Sequence, residues 1–198
     1  MVFLGHLRVI TLLSAFFVIN ATNAGHHEEG EMKSAMDEAL ASQSDETKAR
    51  YIYRNPRETM AFFDINEGMS VVEALPGGGW YTKILVPSLG AEGTLVGANY
   101  PTAIFENFGY TDERIAKLKT WATDWPAQVE EAKPENSAKV SGFVMGELPP
   151  EMAGTADRFL FIRALHNLAR FEKDGGHLTT ALKSAYEILK PGGLVGVV

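Results

Sequence analysis

A chain of 198 residues, 45% of them hydrophobic, is long enough for one domain with a real core. Its formal net charge of −7 and the lack of any basic stripe argue against nucleic acid as a partner. It has no cysteine, which excludes disulfides, thiolate metal sites and a cysteine nucleophile.

The first residues read as a targeting segment. His6 and Arg8 precede an apolar run over 9–19, and the small residues Thr22 and Ala24 follow. This is the three-part pattern of a secretory signal peptide over 1–24, with cleavage after Ala24. The run is short for a membrane span; an uncleaved anchor is the bland alternative. The expected product is exported, most simply to a bacterial periplasm, with no stable membrane insertion once the signal is removed. Residues 25–45 are polar. The His26-His27-Glu28-Glu29 cluster reads as part of a solvated leader rather than as a metal site. The folded domain is expected over 46–198, with no internal repeat.

Asn55-Pro56-Arg57-Glu58 predicts a helix start, with Asn55 as N-cap, Pro56 at the first helical position and Glu58 reaching back as a capping box. Asn66-Glu67-Gly68 predicts a turn. A first strand is expected over 70–74, then a glycine turn and a helix from about Trp80. Residues 93–99 predict a second strand. Ile115, Leu118 and Trp121 recur at helical spacing within a helix over 111–125. Residues 140–145 and 158–162 predict strands three and four. A helix over 178–189 is expected to end at Pro191-Gly192-Gly193, before a fifth strand over 194–198. Five alternations of strand and helix call for a Rossmann-like, doubly wound α/β fold with a mainly parallel sheet covered on both faces. Right-handed crossovers follow from strand twist. A chain that stops inside a parallel strand reads as truncated after strand five.

The segment with the most chemistry is Val71-Val72-Glu73-Ala74-Leu75-Pro76-Gly77-Gly78-Gly79-Trp80-Tyr81. Glycines permit positive φ and let a ligand approach their backbone amides. A strand, a glycine loop and a helix in series are how doubly wound domains bind nucleotide-like cofactors. The carboxylate at the strand tip narrows the choice of cofactor.

Four motifs then carry a resemblance. They are Tyr53-Arg54-Asn55-Pro56-Arg57-Glu58-Thr59, Pro76-Gly77-Gly78-Gly79-Trp80-Tyr81-Thr82, His166-Asn167 and Leu189-Lys190-Pro191-Gly192-Gly193. From about Arg50 onward the chain resembles the class I S-adenosylmethionine-dependent methyltransferases, and within them a group of exported predicted methyltransferases. The resemblance implies that Glu73 engages the amino group of the methionine part of S-adenosyl-L-methionine. It implies that Pro76, Gly77, Gly78 and Gly79 pack under the methionine and ribose. Leu75 departs from the family, which places a glycine there. Asn99, followed by Tyr100, stands where the family commonly has a ribose-binding acid; the amide still accepts and donates, but one charge-assisted bond is lost. Gly146-Glu147 resembles the family's Gly-Asp near adenine and makes Glu147 a candidate acceptor for the adenine amino group; a plain surface role competes with this. Trp80 and Tyr81 either face the sulfonium as a cation–π contact or simply pack the helix on the sheet.

Ligands of open α/β sheets sit beyond the carboxyl ends of the strands, which places Arg163, His166 and Asn167 beside the transferable methyl. A neutral His166 can take a proton from a hydroxyl or amine nucleophile; alternatively it ties down a neighbouring loop. His177, before a helix, reads as a cap or as solvated. The expected activity is methyl transfer to a small-molecule acceptor. Neither the acceptor nor the oligomeric state is written in the sequence. Two alternatives stand. One is a non-catalytic exported binding protein on a degenerate methyltransferase fold, which fits Leu75, Asn99 and the scarcity of the cofactor outside the cytosol. The other is a nicotinamide-dependent oxidoreductase, disfavoured because Thr82 occupies the last glycine position of Gly-x-Gly-x-x-Gly.

Overall fold

A computed structural model describes residues 34–198. The expected signal peptide over 1–24 and the cluster at His26 to Glu29 lie outside the described residues. Among the described residues no helix is long and apolar enough to cross a membrane, and no group of acidic or histidine side chains is arranged to hold a metal ion.

Five strands form one parallel sheet: β1 (Ser70–Ala74), β2 (Thr94–Asn99), β3 (Lys139–Val144), β4 (Ala156–Phe161) and β5 (Leu189–Val197), in the order β3-β2-β1-β4-β5. The expected Rossmann-like architecture is present. β1 is central, and Val71 to Ala74 are all buried, as a parallel strand covered on both faces requires. Along the strands the side chains alternate between two cores. Val71, Leu95 and Leu160 face one layer with Met60, Leu85 and Trp125. Val72, Val96 and Phe159 face the other with Ile104, Leu168 and Ala185. Chain order reverses between β1 and β4, and such a switch point opens a crevice at the carboxyl ends of the strands.

The helices are α1 (Ala35–Ala41), α2 (Asp45–Lys48), α3 (Tyr51–Arg54), α4 (Pro56–Phe62), α5 (Thr82–Ser88), α6 (Ile104–Asn107), α7 (Asp112–Leu118), α8 (Trp121–Ala132), α9 (Leu165–Arg170), α10 (Glu172–Gly175) and α11 (His177–Ile188). Packed structure begins earlier than the polar composition of 25–45 implies. Ser34 caps α1 by accepting from the Asp37 N–H, and Ala39 and Leu40 are buried. The Tyr51 hydroxyl donates to the Leu40 carbonyl at 2.9 Å. Among the described residues of this stretch, Met36 packs against the core beside Ala39 and Leu40, too few apolar side chains to stand out in a polar stretch.

Three local expectations are corrected. The capping box at Asn55 does not form. α3 runs up to this residue, so Asn55 has no extended stretch in which to cap; it sits at φ 40° with no side-chain cap bond, and its carbonyl accepts from Thr59 N. Asn tolerates the left-handed region better than most residues. The single helix over 111–125 is two helices, α7 and α8. Thr111 caps α7, and the Thr120 hydroxyl bonds Asp124 at 2.6 Å. Trp121 and Trp125 then stack at 5.2 Å on one face of α8. Gly97 of β2 makes room for them, since a Cβ there would lie 2.4 Å from the Trp125 ring. Finally, α11 ends at Ile188 and β5 starts at once, so Leu189 to Gly193 is not a turn before the strand. Ala156 pairs with Leu189 and Arg158 with Leu194, so residues 190–193 bulge out of the ladder. The bulge puts Lys190 Nζ 2.7 Å from Asp157, whose other oxygen accepts from Ser70 N at 2.8 Å. The motif thereby pins the starts of β5, β4 and β1 together.

Candidate functional site

Glu73 lies one residue before the end of β1, opposite Gly97 of β2 and Leu160 of β4. Strand alternation sends its side chain into the protein, where it is 5% exposed. Thr82 Oγ1, at the start of α5, donates to Glu73 Oε2 at 2.6 Å. No cation among the described residues pairs with it. Burial pushes its carboxyl from 4.5 up to about 7, against the opposing pull of the Thr82 hydroxyl and backbone N–H. A carboxylate short of a countercharge, at the switch point of the sheet, is the central electrostatic feature of the molecule.

The loop after Glu73 turns through three left-handed residues. Leu75 sits at φ 54°, Gly77 at 54° and Gly79 at 71°. Leu75 N–H extends the ladder by donating to the Ala98 carbonyl at 2.8 Å. Leu75 is thus a leucine held in a conformation that glycine adopts freely, at a cost of roughly 1–2 kcal/mol. A Cβ added at Gly78 would meet nothing within 4 Å, so that glycine faces open space.

A cleft of about 580 Å³ opens over this loop, with Glu73, Leu75, Pro76 and Gly78 along its floor. Trp80, Tyr81 and Arg163 line it as well, and Arg50 and Arg54 reach it from the segment around α3. Arg54 holds its guanidinium 4.5 Å over the Trp80 ring and 5.6 Å from the Tyr81 ring centre. Trp80 and Tyr81 meet edge to face at 4.6 Å, and the Tyr81 hydroxyl donates to the Arg54 carbonyl at 3.3 Å. The cation over the aromatic pair is therefore a residue of the chain itself. Burial raises the Tyr81 hydroxyl and lowers the Arg54 guanidinium from their ordinary values. Arg163, exposed after β4, is held at φ 57° with its N–H on the Val198 carbonyl at 2.9 Å.

The cleft brings together Glu73, Pro76, Gly78, Trp80, Tyr81 and Arg163. Gly77 and Gly79 line a neighbouring cavity of about 720 Å³ shared with Thr82, Val86 and Trp125. The other candidates stand outside both. Asn99 is buried at the end of β2, and its carbonyl accepts from Met145 N at 3.0 Å. Tyr100 packs edge-on against Phe105 and Phe108, and its hydroxyl accepts from Asn167 Nδ2 at 3.1 Å. That bond ties the tip of β2 to α9; burial raises the Tyr100 hydroxyl. His166 is exposed on α9, and Glu147 is exposed after β3. His177 is neither a solvated side chain nor an N-cap. It is buried at the first position of α11, with Nε2 3.1 Å from Asn107 Oδ1, and so ties α11 to α6.

Sequence reasoning gave no role to Thr82, Arg50 or Arg54. Thr82 closes the quoted glycine motif, and Arg54 is the second residue of the first one. Arg50 and Arg54 are spaced at i, i+4, the only local sign that they share a face.

No protein-family model matches the chain and no curated protein matches it. Among solved structures it is similar to a SAM-dependent methyltransferase from Aquifex aeolicus, at 17% identity over 79% of this chain and 68% of that one, with a TM-score of 0.48. It is similar to a chain in the complex between the Haloferax volcanii Trm112 methyltransferase activator and the putative methyltransferase, at 18% identity over 82% of this chain, with a TM-score of 0.41. It is similar to CrArsM, an arsenic(III) S-adenosylmethionine methyltransferase from Chlamydomonas reinhardtii, at 16% identity over 82% of this chain, with a TM-score of 0.43. The chain spans 59% and 48% of the length of these last two. Strand order and register carry the fold without them.

Proposed function

We propose that the chain binds S-adenosyl-L-methionine in the cleft over β1 and transfers its methyl group to a small-molecule acceptor. The observation that supports this reading best is Glu73, a buried carboxylate with no cationic partner among the described residues, at the switch point of the sheet. An α-ammonium is the group such a site lacks. The residues fit the cofactor in other respects too. Thr82 orients Glu73, and the loop at Leu75 to Gly79 offers backbone that no side chain shields at Gly78. Asn99 would serve the ribose hydroxyls and Glu147 the adenine amino group. When bound, the cofactor supplies an electrophilic methyl on sulfur.

Catalysis then asks the chain mainly to align an acceptor and keep water away. His166 would take the proton from a hydroxyl or amine acceptor, with Asn167 and Arg163 positioning it. Residues 1–24 would direct export to the periplasm, and the mature N-terminus would be Gly25, which N-terminal sequencing reads directly.

Calorimetric titration with S-adenosylmethionine and S-adenosylhomocysteine tests the reading. Both should bind, and Glu73→Ala should weaken both by about tenfold to 150-fold, the worth of one charge-assisted contact. Failure of both to bind the folded wild-type chain would overturn it. Tight binding without turnover on a broad acceptor panel would identify a cofactor-binding protein instead.

A further inference from the structure

The cleft holds more positive charge than one cofactor uses. Arg50, Arg54, Arg163 and Lys83 line it, against the carboxylates of Glu46 and Glu73. Four cations over two carboxylates leave a surplus of two even with Glu73 ionised. None of the four cations forms an ion pair among the described residues. Arg54 is satisfied by the Trp80 face, and its charge is opposed first by burial and also by the like charges of Arg50 and Arg163. Arg50 and Arg163 are exposed and have no such aromatic cover among the described residues. Trp80 adds a buried indole N–H with no acceptor among the described residues. Arg163 also keeps a left-handed backbone that a glycine would adopt without strain.

S-adenosylmethionine carries an ammonium, a carboxylate and a sulfonium, so its binding adds one more positive charge to a cleft already in surplus. A cationic acceptor would face net repulsion from the surplus cations, whereas an anion would be drawn in and held by guanidinium forks. Building on the methyltransferase reading, we propose that the methyl acceptor carries an anionic group, a carboxylate or a phosphate, which Arg50 and Arg163 bind with Lys83 beside them.

Inorganic pyrophosphate is the probe, titrated calorimetrically into the apo chain and into the chain saturated with S-adenosylhomocysteine. Pyrophosphate should bind both forms and weaken with added salt. Affinity should fall by about tenfold or more in Arg50→Gln/Arg163→Gln. Both positions are exposed, so the double variant should melt like the wild type and still bind S-adenosylhomocysteine within a few-fold. Three results overturn the proposal: no pyrophosphate binding to either form; displacement of pyrophosphate by S-adenosylhomocysteine, which would give the arginines to the cofactor's own carboxylate; and undiminished binding to the double variant. Arginine-dependent pyrophosphate binding by a chain that takes no S-adenosylhomocysteine would instead sink the methyltransferase reading, and the acceptor with it, while leaving an anion site in place.

Discussion

Replacing Glu73 with glutamine tests the electrostatics of the site without any ligand. Burial holds this carboxyl at about 7 in the folded chain, against 4.5 as its ordinary value. Between those two values the unfolded chain has released a proton that the folded chain still holds. Folding stability owed to this group is therefore complete below about pH 4.5 and is lost as pH rises through about 7. At about 1.4 kcal/mol per pH unit, that interval corresponds to about 3 kcal/mol. Glu73→Gln keeps an oxygen to accept from Thr82 and cannot ionise. Its cost from imperfect hydrogen bonding is the same at every pH and cancels when differences are compared across pH. The stability of the variant relative to wild type should rise by about 3 kcal/mol between pH 4.5 and 8. For a chain of this size that is about 6–12 °C in Tm difference. Parallel urea and thermal melts at half-unit pH steps measure it. A ligand bringing an ammonium to Glu73 needs the ionised carboxylate, so below pH 7 its affinity should fall about tenfold per pH unit, with proton uptake by the buffer on binding. A difference in stability that stays flat from pH 4.5 to 8 would show that Glu73 is not desolvated in the folded chain, and the central argument for an ammonium site would go with it.

Three further outcomes are expected. Gly97→Ala drives a Cβ to 2.4 Å from the Trp125 ring and should cost about 1–3 kcal/mol by overpacking; adding Trp125→Leu should return part of the loss in a double-mutant cycle, and strict additivity would refute the contact. Arg163→Gly removes the left-handed strain at φ 57° and should raise stability by up to about 1 kcal/mol while weakening pyrophosphate binding, so a gain on both counts would contradict the role given to this arginine. His166→Ala, at an exposed position, should leave the melting temperature and S-adenosylhomocysteine affinity unchanged. Once an acceptor is found, turnover should drop by about 10²–10⁴-fold; wild-type turnover would leave catalysis to proximity alone.

β1, β2 and β4 were legible as short apolar runs, and their alternation with helical periodicity implied a parallel sheet, because burial on both faces leaves a local imprint on every strand. The loop at Leu75 to Gly79 was legible for the same reason: chain reversal within a few residues demands particular φ values, and glycine supplies most of them. Glu73 drew notice as a carboxylate at a strand tip. Its proton affinity did not, since that is a sum over α5, β2 and β4 closing around it. Asn55 has the local signature of a cap, but α3 ends on it and sets its left-handed backbone. Residues 190–193 have the local composition of a turn, but they bulge from the β4–β5 ladder with Lys190 on Asp157. His177 reads locally as a cap or as solvated, because its partner Asn107 lies 70 residues away in sequence. The pairing of Arg54 with Trp80 and of Tyr100 with Asn167 likewise spans long stretches of chain. Turns and periodicities are set by neighbours within a few residues, so a sequence displays them. Charge balance in a cleft depends on which distant segments the sheet brings to one edge, and only the tertiary structure decides that.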